Sequence, residues 1–130
     1  MRKGLVIMFC LVVCLVSIGA ERGEPHRETV DLSQMQLMHT TAYCCGTHTA
    51  NGSKVHTGGC ACNPHFGDMA IIYTTDGRYL GMYECNDKGG TDGLKAGTVI
   101  DIYRPTYTMC KSWMKLTGGK VYVLWVEGNG

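Results

Sequence analysis

The stretch YECNDKGGTDGLKAGTVIDIYR, residues 83–104, decides the fold that we predict for this chain. It ends in a run of β-favouring residues, 98–103, in which successive side chains of a strand would point to opposite faces. Alternation therefore predicts that Val99, Asp101 and Tyr103 share one face of this strand. Ile100 and Ile102 would lie on the other face, so apolar residues flank Asp101 along the chain.

Asp101 is the strongest candidate for a catalytic group. Desolvation penalises the charged form of a carboxylate among apolar residues, so its pKa rises unless a partner stabilises the charge. A carboxyl group with a raised pKa can deliver a proton at neutral pH, as a general acid for glycosidic cleavage must. A second interpretation stays open from the residues alone, in which Asp101 accepts hydrogen bonds from the glycine-rich turn and only stabilises the fold.

A second aspartate opens that turn, in the sequence Asp87-Lys88-Gly89-Gly90. The two glycines let the backbone turn sharply and approach a ligand closely. Asp87 could therefore orient Asp101, raise its pKa by like-charge proximity, or line a groove for sugar. A structural role is equally open, because aspartate commonly stabilises turns through its own side chain.

The start of the chain has the pattern of a secretory signal, with two basic residues, an apolar core and a small-residue cleavage region. We predict a signal peptide over residues 1–20, a flexible leader over residues 21–37 and one folded domain over residues 38–130. The apolar run is shorter than the about 20 residues of a membrane span. We therefore expect a protein that is secreted to the cell envelope or beyond, with no stable span after cleavage.

Charge excludes one class of partner. Without its first twenty residues the chain carries ten Lys and Arg against eleven Asp and Glu, a net charge of −1. It has no basic run of the kind that follows phosphates, which argues against nucleic acid as a partner. No motif indicates a cofactor, and we expect a monomer.

Six cysteines follow the predicted signal peptide, and an even number in a small secreted chain predicts disulfides. Six cysteines allow 15 pairings, which stay open. The adjacent pair is not expected to bond to itself, because a bridge would strain the intervening peptide. Interleaved histidines raise the alternative of zinc, but the spacing lacks a paired C-x2-C framework, so we predict disulfides and no metal site. The six are Cys44, Cys45, Cys60, Cys62, Cys85 and Cys110.

Short β-rich runs alternate with turn signals along the folded part. The runs cover residues 40–45, 69–74, 79–85, 98–103 and 120–127. Asp76-Gly77, between two of these runs, predicts a tight hairpin. Residues 106–116 alone have helical spacing. The pattern predicts an all-β fold, a small barrel or sandwich, with one short helix.

These features resemble the three-aspartate (3D) domain family over residues 40–127. The most specific part is an Asp-x-Gly-Gly piece at Asp87 followed by an Ile-Asp-Ile-Tyr piece at Asp101. Shorter matching pieces are Thr41-Ala42-Tyr43-Cys44, Thr49-Ala50-Asn51-Gly52, Asn63-Pro64 with Gly67 following, and Val121-Tyr122-Val123-Leu124. The resemblance implies a six-stranded double-psi β-barrel, a fold shared with the catalytic part of membrane-bound lytic transglycosylase A.

The same resemblance implies cleavage of the MurNAc to GlcNAc β-1,4 bond in peptidoglycan glycan strands. Asp101 matches the family's catalytic acid and base, and Asp87 matches a supporting aspartate of the active site. In a lytic transglycosylase the sugar's own 6-hydroxyl captures the oxocarbenium-like centre, so one carboxyl can act as acid and then as base. The residues that we expect to contact the sugar are Asn63, Gly89, Gly90, Tyr43 and Tyr103.

Two departures from the family pattern favour a different class of function. The family has aspartate before a proline where this chain has Asn63 before Pro64, so two of the three acids remain. The loop between Asp87 and Asp101 is also longer than in the family. The alternative is an expansin-like module that binds wall glycans without cleaving them, and a purely structural secreted domain is the third interpretation.

Overall fold

The computed structural model describes residues 30–128, which form a closed six-stranded barrel with the strand order β1-β5-β2-β4-β3-β6. The strands are β1 (Gln36–Tyr43), β2 (Gly59–Ala61), β3 (Met69–Tyr73), β4 (Tyr79–Asp87), β5 (Val99–Tyr103) and β6 (Lys120–Val126). The helices are α1 (Asp92–Ala96), α2 (Tyr107–Thr117) and two 3-10 turns, Leu32–Gln34 and Asn63–His65. The prediction of a mainly β fold is confirmed, and a barrel is found rather than a sandwich. The predicted signal peptide, residues 1–20, lies outside the described residues.

Strand β2 is the link between the two parts of the barrel that carry the candidate residues. It pairs in parallel with β4 and antiparallel with β5, so it separates the end of β4 from the middle of β5. The second parallel pair is β1 with β5, and the remaining pairs of the barrel are antiparallel. The topology thereby places Asp87 and Asp101 on either side of one short strand.

The barrel core is built by the alternation expected of half-buried strands. In β5, Ile100 and Ile102 are fully buried and Asp101 is half-buried, so the predicted alternation of two faces is present. The hairpin between β3 and β4 is also present, with Gly77 at a φ of 92° in its turn. The other apolar core residues come from every strand and from α2, and include Met38, Ile72, Cys85, Trp113, Val121 and Val123.

Helix α2 closes one side of the barrel and corresponds to the helix predicted over residues 106–116. The Thr106 side chain accepts a hydrogen bond from the backbone N–H of Met109, and Gly118 ends the helix in the left-handed conformation. The Trp113 indole N–H donates to the Thr40 hydroxyl at 3.0 Å, and this hydroxyl donates to the Ile100 carbonyl at 3.0 Å. Two buried hydrogen bonds therefore connect α2 through β1 to β5.

Three details differ from the sequence predictions. A second α-helix, α1, occupies the loop between the two aspartates, where Thr91 caps its start, Leu94 is buried and Gly97 ends it. Five residues are too few to display helical periodicity. Strand β1 begins at Gln36, inside the predicted leader, because it pairs there with β6. Strand β2 was absent from the predicted runs, since three residues carry no recognisable pattern.

The cysteines between residues 30 and 128 are all free thiols, so the expected disulfides are not confirmed. Cys44 and Cys45 are exposed, and the other four are buried. None of the helices within this part of the chain is long and apolar enough to cross a membrane.

Candidate functional site

Strand register brings four residues into one line across the outside of the barrel. Thr41 of β1 is paired with Asp101 of β5, Asp101 with Ala61 of β2, and Ala61 with Asp87 of β4. We call these four residues the carboxylate row. Neighbouring strands lie about 4.8 Å apart, so the Cα atoms of the two aspartates are separated by roughly 10 Å. Ala61, which is 3% exposed, lies between them in the strand register.

Asp101 is half-buried, and it does not point into the sealed core. Burial is the largest influence on its pKa and raises it; a hydrogen bond from Thr41 lowers the pKa, and the charge of Asp87 raises it. The Thr41 hydroxyl donates to Oδ1 at 2.9 Å. Among the described residues no group forms a hydrogen bond with Oδ2 of Asp101. The arrangement suits a carboxyl group that exchanges a proton.

Asp87 is held by three donors that come from different parts of the chain. Its Oδ1 accepts from the backbone N–H of Ala50 at 3.0 Å and from that of Lys88 at 2.9 Å. Its Oδ2 accepts from the Tyr43 hydroxyl at 3.2 Å. The two oxygens therefore connect β4 to the loop before β2 and to the end of β1. These bonds position neighbouring segments of the chain.

Tyr43 connects the two aspartates. Burial raises the pKa of Tyr43 most, and the charge and hydrogen bond of Asp87, followed by the charge of Asp101, raise it further. The hydroxyl therefore stays protonated, and its O–H donates a hydrogen bond to Asp87. The ring packs edge-on against Tyr103 with 5.5 Å between ring centroids. The structure thus brings both predicted aspartates and both predicted tyrosines together.

Asn63, Gly89 and Gly90 form the side of the site next to α1. The Asn63 amide N–H donates to the Gly89 carbonyl at 2.9 Å, and the Gly89 N–H donates to the Asn63 Oδ1 at 2.9 Å. This closed pair of bonds fastens the glycine turn, and an aspartate could make only one of them. A Cβ atom on Gly89 would clash with Leu94 Cδ1, so a side chain there would require the Leu94 side chain to move, whereas Gly90 has open space around it.

Arg104 lies three residues after Asp101 and was not among the predicted site residues. Its guanidinium carbon lies 4.8 Å from the Trp113 ring centroid and 5.5 Å from that of Tyr83, and Nη2 donates to the Tyr83 hydroxyl at 2.8 Å. Across residues 30–128 no carboxylate forms an ion pair with it. Sequence could not have singled it out, since nothing local indicates the two aromatic rings on which it stacks.

Two pairs of cysteine thiols shift each other's pKa near the row. The interaction between the Cys60 and Cys85 thiols raises the pKa of Cys60 and lowers that of Cys85. Burial is the largest cause of the raised pKa of Cys110, and the Cys44 thiol raises it further. In the described part of the chain, no group of three or more histidine, cysteine or acidic side chains is placed to hold a metal ion.

Comparison with known proteins does not supply a function. A scan of the sequence against protein-family models finds no match. A search of the curated proteins finds no match either. Function must therefore be inferred from the carboxylate row and its surroundings.

Proposed function

We propose that this chain is a secreted enzyme that cleaves the β-1,4 bond of peptidoglycan glycan strands in the manner of a lytic transglycosylase. The observation that carries the proposal is Asp101, a solvent-reachable carboxyl whose burial raises its pKa and whose Oδ2 has no partner within residues 30–128. Asp101 donates its proton to the glycosidic oxygen as the bond breaks. The resulting carboxylate then takes the proton of the sugar's 6-hydroxyl as that oxygen bonds to the anomeric carbon, which leaves a 1,6-anhydro end.

The other residues of the site support this chemistry by position. Asp87 holds Tyr43 in place and contributes negative charge that favours the protonated form of Asp101. The paired rings of Tyr43 and Tyr103 offer an apolar surface beside the row for a sugar ring. One carboxyl with a free oxygen is sufficient for an intramolecular capture, whereas an ordinary glycosidase needs two at a set separation.

We also propose that the barrel is of the double-psi type, as in 3D domains. The two parallel pairs, β1 with β5 and β2 with β4, support this assignment, because an up-and-down barrel would contain only antiparallel pairs. Disulfide stapling belongs to the same proposal, supported by the strand register of Cys60 with Cys85 and by the effect of the Cys44 thiol on the pKa of Cys110.

The test is fragment release from purified sacculi by the wild type and by Asp101→Asn. We expect soluble fragments with 1,6-anhydro ends from the wild type, and a loss of at least about 100-fold in the variant, the usual contribution of a general acid. Asp92→Asn is the matched control, because Asp92 is exposed in α1. This variant should retain full activity. Equal activity of Asp101→Asn and wild type, with both folded by circular dichroism, would disprove the assignment.

A second candidate function is glycan binding without cleavage. The hydrogen bonds that occupy Asp87 and Asn63 favour it, since both side chains are used within the protein. Retention of the wild type on sacculi, together with no fragment release at high protein concentration over a broad pH range, would support this function. Reducing ends in place of 1,6-anhydro ends would instead indicate a hydrolase.

A further inference from the structure

Two cysteines face each other across neighbouring strands in the barrel core. Cys60 of β2 is the register partner of Cys85 of β4, and both side chains are fully buried. The Cα atoms of paired residues in neighbouring strands lie about 4.8 Å apart, inside the range of roughly 4.4–6.8 Å that a disulfide bridges. Each thiol is also the largest influence on the pKa of the other, which is raised for Cys60 and lowered for Cys85, as expected for two sulfur atoms that lie close together. The backbone therefore needs little movement to accept a bond between the two sulfur atoms.

A third thiol nearby is a poorer partner for Cys85. Cys62 follows the end of β2, and burial is the largest cause of the raised pKa of its thiol, followed by the charge of Cys85. Its contact with Cys85 is through the main chain, where the Cys85 thiol donates to the Cys62 carbonyl at 3.2 Å. Strand register distinguishes Cys60 from Cys62, because Cys60 is paired with Cys85 whereas Cys62 lies beyond the last pair of β2 with β4.

We propose that Cys60 and Cys85 form an intrachain disulfide in the oxidised protein, next to the carboxylate row. A low-molecular-mass disulfide such as oxidised glutathione is a sufficient oxidant. One cysteine thiolate attacks it, releases one glutathione thiol and forms a mixed disulfide, and the second cysteine displaces the other glutathione thiol. Each cysteine loses its proton, one S–S bond forms, and the oxidant's S–S bond is reduced to two thiols.

Burial decides when the bond can form and what it does. Because both side chains are inaccessible in the folded barrel, the exchange takes place while β2 and β4 are still open during folding. The bond then joins β2 to β4 one residue before Ala61 and two residues before Asp87, so it fixes the strand spacing directly beneath the row. Reductants would reach it only when the barrel opens.

Peptide mapping tests the pairing without reference to any activity. The full chain is reduced, refolded with oxidised and reduced glutathione, blocked with N-ethylmaleimide and digested with trypsin under non-reducing conditions. Peptide 55–78 carries Cys60 and Cys62, and peptide 79–88 carries Cys85. We expect these two peptides to be linked, with one N-ethylmaleimide on Cys62. The mass should equal the sum of the two peptides minus two hydrogens plus one N-ethylmaleimide. A link through Cys62, or peptide 79–88 recovered alone with a labelled thiol, would overturn the pairing.

Two further measurements keep the result clear. Cys62→Ala should retain the linked peptides, and Cys60→Ala should lose them. If one variant fails to fold, the wild-type peptide map still tests the pairing. In native protein, dithiothreitol should reduce the bond at least 100-fold more slowly than in urea-unfolded protein. Equal rates would show that the bond is not in the core and would contradict the proposal.

Discussion

Replacing Thr40 with valine removes one hydroxyl group from the barrel core while keeping the shape of the side chain. Thr40 is 2% exposed, and its hydroxyl is the acceptor for the buried Trp113 indole N–H and a donor to the Ile100 carbonyl. Valine can do neither. The variant therefore leaves the indole N–H of Trp113 without a partner at the contact between α2 and the barrel. Trp113 is 3% exposed, so water cannot easily replace the lost acceptor.

The expected cost follows from that unpaired donor. A buried polar group that loses its partner costs about 1–3 kcal/mol, and the better burial of a methyl group offsets a part of it, so we expect the free energy of unfolding to fall by about 2 kcal/mol. In a domain of this size that corresponds to a decrease in Tm of roughly 10 °C. Urea unfolding followed by tryptophan fluorescence measures it, with an unchanged m-value showing that only stability has changed.

Thr41→Val is the control, since it makes the same chemical change one residue later. Thr41 is exposed, faces away from the core and bonds only to Asp101 among the described side chains. We expect its unfolding free energy to fall by less than about 1 kcal/mol, because only one hydrogen bond at the surface, to Asp101, is lost. If Thr40→Val were as stable as Thr41→Val, the hydrogen bond from Trp113 would not be what holds α2 on the barrel.

Three further predictions concern the site. Thr41→Val removes the hydrogen bond that lowers the pKa of Asp101. Because a general acid is active while protonated, the high-pH limb of the pH profile of fragment release should move to higher pH. An unmoved limb would exclude Asp101 as the acid. The raised pKa of Asp101 also means that its contribution to stability is complete below the unfolded value of 3.8 and is lost as pH rises through the folded value. Asp101→Asn should therefore gain stability relative to wild type in urea unfolding as pH rises above 3.8, and a constant difference would contradict the shift. Asn63→Asp cannot donate to the Gly89 carbonyl and should lower the unfolding free energy by about 1 kcal/mol, whereas a rise in stability would show that the amide does not fasten the turn.

Local patterns accounted for the elements that could be predicted. The alternation in β5 and the apolar spacing of α2 each extend over enough residues to show a period, and an Asp-Gly pair in the β3 to β4 hairpin has a conformational preference of its own. Strand β2 and helix α1 are three and five residues long, and neither displays a period. Both are formed by what they pack against, which a single sequence does not reveal.

The same limit applies to the site. Asp87 and Asp101 could be selected because each carries a carboxylate in a distinctive local setting. Thr41 and Ala61 join them only through pairing between strands that are far apart along the chain, so their roles depend on register. Asn63 illustrates the point differently, since its amide bonds to the backbone of a residue 26 positions away.

The division of labour between the two aspartates follows from how many of their oxygens are occupied. Three donors bind the two oxygens of Asp87, and moving its side chain would release the loop at Ala50 and the ring of Tyr43 together. Asp101 has one donor, on Oδ1, and within residues 30–128 its second oxygen contacts no polar group. A proton can be gained and lost at that oxygen without breaking any bond that maintains the barrel. This freedom, more than proximity to a glycine turn, makes Asp101 the residue on which to test catalysis.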